Sequence, residues 1–157
     1  MSLGGGGGGG QMQELQQQLQ AIEEEQEALD EEIEELREEK AEIDEAIEAL
    51  DVLDSGSTVQ VPLGGDAYVR ATVEDIDEVI VSLGGGYAAE HEQDEAVDTL
   101  ERKQETLDDR IDEVNEEISQ LDTERDRLEQ QAQQMQQQQM QQMQQQMGAM
   151  EDGDEDE

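Results

Sequence analysis

Several residue types on which ordinary globular proteins rely are absent or rare in this sequence. Its 157 residues include no Cys, Trp or Phe, and Tyr68 and Tyr87 are the only aromatic side chains. Without Cys there are no disulfides and no thiolate metal ligands. Because aromatic side chains supply much of the buried area of a compact core, the composition argues against an ordinary globular enzyme.

Positive charge is also scarce. Eight Lys and Arg stand against 46 Asp and Glu, for a formal net charge of −38. Nucleic acid is therefore not expected as a partner, since binding it requires Lys and Arg at the phosphates. Self-repulsion of this size is largely screened at about 1 M salt, where the Debye length is about 3 Å. We interpret the composition as adaptation to a high-salt cytoplasm; a mesophilic protein with an acidic tail is the alternative.

Long apolar runs are missing as well. No stretch approaches the ~20 apolar residues of a membrane span, and the opening MSLGGGGGGG lacks the basic and apolar regions of a signal peptide. We therefore expect no membrane partner and a cytoplasmic location. An acidic, aromatic-poor composition is also typical of disorder, but regular apolar spacing argues against disorder for most of the length.

That spacing follows a narrow two-in-seven pattern in each half of the chain, which is typical of a coiled coil. The apolar a and d positions of the first half are Met12, Leu15, Leu19, Ile22, Leu29, Ile33, Leu36, Ile43, Ile47 and Leu50. Those of the second half are Val97, Leu100, Leu107, Ile111, Val114, Ile118, Leu121, Leu128, Ala132 and Met135. Four polar residues interrupt the two seams, and we interpret them as fixing the helix register: Gln26, Lys40, Gln104 and Arg125.

Two equal seams separated by a short insert predict that the chain folds back on itself. Pairing Leu50 with Val97 then brings Ile22 beside Arg125 and Met12 beside Met135. The result is an intramolecular antiparallel coiled coil.

The insert, STVQVPLGGDAYVRATVEDIDEVIVSLGGGYAAE, has a different character. Short runs of alternating β-branched residues are separated by glycine clusters, which predicts two β-hairpins in succession. The glycines are expected to permit positive φ in tight turns. The competing interpretation of LGGGY as a phosphate loop lacks the Lys and Ser/Thr of a P-loop and the spacing of a dinucleotide site.

Four short strands with few large apolar side chains cannot form a core alone, and unpaired edges recruit other chains. We therefore predict that the hairpins are an assembly platform. The fold class is α+β, mainly α: a long antiparallel coiled coil with two β-hairpins at its midpoint. The candidate assembly residues are Val59, Val61, Leu63, Tyr68, Val69, Val73, Val79, Val81 and Tyr87.

This arrangement resembles the α-type subunits of archaeal prefoldin over about residues 11–135. The most specific part is VPLGGDAYVRATVEDIDEVIVSLGGGYAAEHEQDEAVDTL, where two hairpins, rather than the single hairpin of β-type subunits, join the helices. The resemblance implies two α with four β subunits, joined through their hairpins into a double β-barrel with six coiled-coil tentacles. It also implies an ATP-independent holdase that binds unfolded proteins near the tentacle tips and passes them to a group II chaperonin.

The resemblance and the helical frame divide the chain into five parts. These are a disordered Gly-rich start at 1–10, the first helix at 11–54, the hairpins at 55–90, the second helix at 91–135, and a frayed or disordered Gln/Met-rich and acidic tail at 136–157. The family assigns no role to the start or the tail.

In the folded-back arrangement the methionine-rich ends of both helices lie together. Methionine is flexible and polarizable, which suits it to contact with varied apolar segments. The candidate client-binding residues are Met12, Leu15, Leu19, Leu128, Met135, Met140 and Met143. The alternative is that QMQQQQMQQMQQQM is a low-complexity tail without function.

Catalytic, cofactor and metal sites are not predicted. His91, the only histidine, has no nucleophile in sequence reach, and EDGDEDE lacks the spacing of a calcium loop. The main rival to a holdase is a structural coiled-coil adaptor that uses its hairpins only to oligomerise. The helical arm of an enzyme is more distant, because no catalytic domain is attached.

Overall fold

The computed structural model describes residues 7–153 of the chain. Over this range two long helices flank, in chain order, four short strands. The elements are α1 Gly7–Val52, β1 Thr58–Gly64, β2 Ala67–Thr72, β3 Val79–Gly84, β4 Tyr87–His91 and α2 Gln93–Gly153. The predicted fold class, mainly α with two β-hairpins between the helices, is confirmed.

The described residues form two compact units, and each contains part of both helices. The helix-end unit consists of residues 7–32 and 114–153, and the hairpin unit consists of residues 33–113. Each unit has its own apolar cluster. The seam of each helix therefore contributes to two separate cores.

The core of the hairpin unit joins both helices to strand β3. Its buried side chains form one cluster: Ile43, Leu50, Val81, Ala96 and Leu100. Val97 packs against the same cluster, so the predicted proximity of Leu50 and Val97 is confirmed. Because one strand packs on the helices here, the second hairpin is held to the coiled coil by apolar contact.

Gln93, the first residue of α2, links the two helices beside the hairpins. Its Nε2 donates hydrogen bonds to the carbonyl oxygens of Leu50 and Leu53, the latter at 3.0 Å. Carbonyls at a helix C-terminus have no partner within the helix, so Gln93 satisfies them. Asp94 and Glu95 follow in the first turn of α2, where negative charge is favourable. Gln93 therefore joins the end of α1 to the start of α2.

Two of the polar seam residues meet within the hairpin unit. Gln104 Nε2 donates to the carbonyl oxygen of Lys40 at 3.3 Å and to Asp44 Oδ1. Lys40 Nζ lies 2.6 Å from Asp108 Oδ1, with both side chains partly solvated. Because exposed ion pairs contribute little to stability, these contacts satisfy the polar groups rather than stabilise the core. Their role in fixing register stays a prediction.

Both hairpins turn through two central residues with positive φ, and the glycine before each pair also has positive φ, 99° at Gly64 and 89° at Gly84. β1 pairs antiparallel with β2, and β3 pairs antiparallel with β4, in two separate two-stranded sheets. The first turn has Gly65 at φ 60° and Asp66 at φ 62°, and the second has Gly85 at 63° and Gly86 at 82°. Two central residues with positive φ are the signature of the type I′ turn, which matches strand twist. The predicted role of the glycines is confirmed.

The core of the helix-end unit is a second apolar cluster. Leu15, Ile22 and Leu128 are its buried residues. A polar layer accompanies it: Gln26 Nε2 donates to Asp122 Oδ1 at 2.6 Å, and Arg125 Nη1 donates to Gln26 Oε1 at 3.3 Å. The register predicted from the sequence places Arg125 beside Ile22. In the structure Arg125 contacts Gln26, which lies one helical turn further along α1.

The structure extends both helices beyond the bounds expected from the sequence. Gly7–Gly10 belong to α1, and residues 136–153 belong to α2. The sequence instead favoured a disordered start and a frayed or disordered tail. Gln and Met are good helix formers, and no proline interrupts them, so α2 continues after its apolar seam ends. Residues 1–6 and 154–157 of the same expectations lie outside the described range.

Val114 is the largest side chain among the described residues that is fully buried. Replacing it by Ala removes two methyl groups from a packed site, which we expect to lower the free energy of unfolding by about 2 kcal/mol. Thermal unfolding followed by circular dichroism at 222 nm in high salt measures the change. The matched control is Val52→Ala, at a position that is 77% exposed. Equal destabilisation by the two variants would contradict the assignment of Val114 to the core.

Candidate functional site

Five of the seven candidate client-binding residues come together in the helix-end unit. Leu15 and Leu128 are buried, and Met12, Leu19 and Met135 pack half-buried against them. Met12 and Met135 pack against the same cluster, as the predicted register requires. Leu15 and Leu128 mainly stabilise the coiled coil, whereas the two methionines and Leu19 keep part of their surface accessible.

The other two candidates, Met140 and Met143, lie on α2 outside this cluster. They are 69% and 64% exposed, and Met147, which the sequence did not select, is 70% exposed. A spacing of three and then four residues places all three on one side of a helix. We call Met140, Met143 and Met147 the methionine face. Large apolar side chains that remain exposed together indicate a contact surface.

A groove of about 230 Å³ lies beside the apolar cluster of the helix-end unit. Its lining residues come from both helices: Gln11, Glu14, Leu15, Gln18, Gln131 and Met135. This volume is below the range of about 300–1,000 Å³ that is typical of small-molecule sites. Four of its six lining residues are Gln or Glu.

The first hairpin carries an apolar face. The pairings Val59↔Ala71 and Val61↔Val69 place these residues on one side of the sheet. Val61 and Val69 are 41% and 46% exposed. The other side of the same sheet carries mainly polar side chains, together with Tyr68, which is 60% exposed. We call the side formed by Val59, Val61, Val69 and Ala71 the hairpin face.

Three more candidate assembly residues belong to the turns or the strand ends. Leu63 and Tyr87, next to the two turns, are 68% and 76% exposed. Val73, which follows β2, is half-buried, and its backbone N–H donates to the carbonyl oxygen of Ser57 at 2.8 Å. Both hairpins therefore present large apolar side chains near their turns.

The other two candidate assembly residues, Val79 and Val81, lie on strand β3 and pack in the core of the hairpin unit. Val81 is only 5% exposed within the core of the hairpin unit, and Val79 packs against the same cluster. Successive strand residues point to opposite faces, so Ile80 lies on the outer side and is 74% exposed. Val79 and Val81 hold the hairpin to the chain's own helices, and a role for them in subunit assembly stays a prediction.

Ile80 and Leu83 are the exposed apolar residues of β3 that sequence reasoning missed. Leu83 is 54% exposed. The period of two in VIVSL groups Val79, Val81 and Leu83 and separates them from Ile80, but the pattern alone does not say which side faces the helices. Contact with α1 and α2 decides that question.

His91, the only histidine of the chain, lies at the end of β4. Its Nδ1 is 3.9 Å from Glu95 Oε2, and its Nε2 is buried without a hydrogen-bond partner among residues 7–153. Within the same range no three His, Asp or Glu side chains converge in a way that could hold a metal ion. Neither α1 nor α2, as described, has an apolar stretch long enough to cross a bilayer.

Comparison with known sequences gives one consistent family. The sequence pattern of the prefoldin subunit family matches residues 15–138. The prefoldin subunit alpha of Haloarcula marismortui is 71% identical over 96 residues, which are 61% of this chain and 62% of that protein. The match thus spans about three fifths of that relative's length. The prefoldin subunit alpha of Halobacterium salinarum is 65% identical over 106 residues, 68% of each chain.

Solved structures agree with the sequence comparison. A chain of the filamentous PFD from Methanocaldococcus jannaschii matches with a TM-score of 0.50 and 30% identity, over 74% of this chain and 93% of that one. The prefoldin beta subunit from Thermococcus strain KS-1 matches in fold, with a TM-score of 0.50 and 20% identity over 78% and 90% of the two chains. The helical hairpin with two inserted β-hairpins, the matched residues and these relatives together place the chain in the prefoldin subunit family.

Proposed function

We propose that this chain is an α-type subunit of an ATP-independent chaperone that holds unfolded proteins. The observation that carries the proposal is the concentration of accessible apolar side chains at the ends of the two helices. Met12 and Met135 are half-buried at the edge of the helix-end cluster, and the methionine face is exposed on α2. The relatives named prefoldin subunit alpha support the same assignment.

Methionine suits this task for a physical reason. An unfolded client presents apolar segments of varied shape, and a flexible, polarizable side chain adapts to many of them. Each contact of this kind is weak. Several subunits that bind one client at the same time raise the total affinity through effective concentration, and the client is released stepwise when single contacts break.

Such multivalency requires assembly, and the hairpins supply a surface for it. Each sheet has only two strands, so every strand keeps one unpaired edge. Two-stranded sheets are marginally stable alone, and exposed edges favour pairing with another chain. The hairpin face, with Ile80, Leu83 and Tyr87, adds exposed apolar area. We propose that β-type subunits cover these surfaces, in the ratio of two α to four β that the family resemblance implies.

The remaining parts of the proposal follow from the family. Clients held at the helix ends pass to a group II chaperonin in the cytoplasm, and no nucleotide is consumed. A structural adaptor would use the same hairpins to assemble but would not bind clients. Both functions therefore predict assembly through the hairpins, but only the chaperone predicts client binding at the helix ends.

Photo-crosslinking tests the client surface directly. A photoreactive residue at position 12, 135 or 143 should crosslink to a chemically denatured client, because these side chains lie at the apolar helix ends. The control is position 45, an exposed site on α1 in the hairpin unit. Crosslinked client is quantified in molar salt, without ATP, with the β-type subunit present.

Equal crosslinking from position 45 would contradict binding at the helix ends. The same mixture is assayed for aggregation of the denatured client by light scattering. Suppression of aggregation supports the chaperone. Failure to suppress it while the complex is intact favours the adaptor.

A charge placed on the hairpin face should prevent assembly. Val61→Glu puts a carboxylate where burial by a partner is expected, and a charge without a partner is costly to bury. We expect the affinity for the β-type subunit to fall by about tenfold or more, since 1.4 kcal/mol corresponds to a factor of ten. Gln60→Glu is the matched control, because the next residue of β1 lies on the opposite side of the same sheet. Sedimentation velocity measures both complexes, and equal affinities would refute the role of the hairpin face.

A further inference from the structure

The acidic charge of the chain is interrupted over one long segment. Between Glu129 and Glu151 no residue carries a charged side chain, although the chain contains 46 Asp and Glu. The segment consists of Gln, Met, Ala and a single Gly. We call residues 130–149 the neutral segment. At 1.5 Å per residue it extends for about 30 Å of helix.

The structure arranges this segment as one helix with two different sides. The methionine face occupies one side of α2, and Met140, Met143 and Met147 are 64–70% exposed. At 100° per residue Gln136 and Gln144 flank the same side, whereas Gln138 and Gln145 lie on the opposite side. Met140 and Met143 are therefore bordered only by neutral amides and by one another, whereas Glu151 follows Met147 by one helical turn.

Salt does not remove the need for such neutrality at a contact surface. At about 1 M salt, charges repel one another only within about 3 Å. At direct contact, however, ions no longer separate the two surfaces, and like charges that lose their water are costly to bring together. An acidic polypeptide segment therefore meets a penalty at the Glu- and Asp-rich sides of this chain, and it meets none at the neutral segment.

Glutamine side chains add hydrogen-bonding groups to this surface. Each side-chain amide offers two N–H donors and one carbonyl acceptor without a charge. An extended polypeptide has unpaired backbone N–H and C=O groups along its length, and amides can bond to them whatever its sequence. Methionine contacts apolar side chains and glutamine contacts the backbone, so an acidic segment can bind here although the Glu- and Asp-rich sides of the chain repel it.

We propose that the methionine face with Gln136 and Gln144 is a binding surface for unfolded segments that are themselves acidic and contain scattered apolar residues. The inference rests on the proposed chaperone function and names its client class. It assigns a role to the part of α2 beyond the seam, for which the family supplies none.

Binding of three peptides tests this inference. Each is about 20 residues long, carries a single Trp and has the same apolar residues, with Glu, Gln or Lys at all the spacer positions. Because the chain has no Trp, peptide fluorescence reports binding without background. The full chain is titrated in about 1 M KCl. The unaltered chain should bind the Glu and Gln peptides with affinities that differ by no more than about threefold.

Two double variants with equal charge locate the surface. Gln136→Glu with Gln144→Glu flanks the methionine face, and Gln138→Glu with Gln145→Glu lies opposite. The flanking pair should weaken binding of the Glu peptide by about tenfold and change binding of the Gln peptide by less than about twofold, a difference carried by contact between like charges. The opposite pair should change neither peptide by more than about twofold. Circular dichroism verifies that both variants keep their helix content.

Four other results would contradict the proposed surface, the proposed ligand or the proposed function. Equal weakening of the Glu peptide by the two variants would show that the methionine face is not the contact surface. Tenfold weaker binding of the Glu peptide than of the Gln peptide by the unaltered chain would refute acidic segments as ligands. Absence of binding by all three peptides would instead contradict the proposed function. Sedimentation showing that the flanking variant alone disrupts a self-associated species would identify a second copy of this chain as the occupant.

Discussion

Like-charge repulsion is the constraint on which the rest of this molecule depends. A net charge of −38 on 157 residues opposes every compact state, and the opposing apolar contact comes from a narrow seam without Phe or Trp. Among the described residues the buried side chains are Leu, Ile, Val and Ala. Strong repulsion between the helices would oppose a seam of this width, so we expect the fold to need salt that screens its acidic faces. The same acidic faces leave few uncharged places where another polypeptide can make contact.

Those few places are found in both units of the chain. In the hairpin unit, apolar side chains of two short sheets remain exposed because the helices cover only one side of the second hairpin. In the helix-end unit, methionines remain exposed on α2 outside the apolar cluster. On the hairpin face and the methionine face, side chains without charge therefore coincide with the surfaces proposed to bind subunits and clients, whereas Ile80 on the second hairpin lies opposite Glu90. In such an acidic chain, exposed positions without charge therefore indicate where a contact surface can form.

Much of the fold is predictable from the sequence because its periods are unambiguous. The seam recurs at three and four residues over both halves, and it correctly brings Leu50 together with Val97 and Met12 together with Met135. The glycine clusters predict turns because only a few residue types tolerate positive φ, and Gly65 and Gly85 adopt it. The orientation of β3 is not predictable in the same way. Alternation separates Ile80 from Val79 and Val81, but tertiary contact with the helices decides which side is buried. The length of α2 is not predictable from the seam, because Gln and Met are good helix formers and the helix continues after the apolar spacing ends.

The mass of the complex formed with a β-type subunit, measured as ionic strength is varied, tests the central claim most directly. The claim is that a narrow apolar seam and exposed hairpins form an assembly only when salt screens the acidic faces. Analytical ultracentrifugation at about 2 M KCl should give the mass of two α with four β subunits, and dilution to about 0.05 M should dissociate it, because the Debye length rises to more than 10 Å. A complex of unchanged mass in dilute buffer would contradict this account.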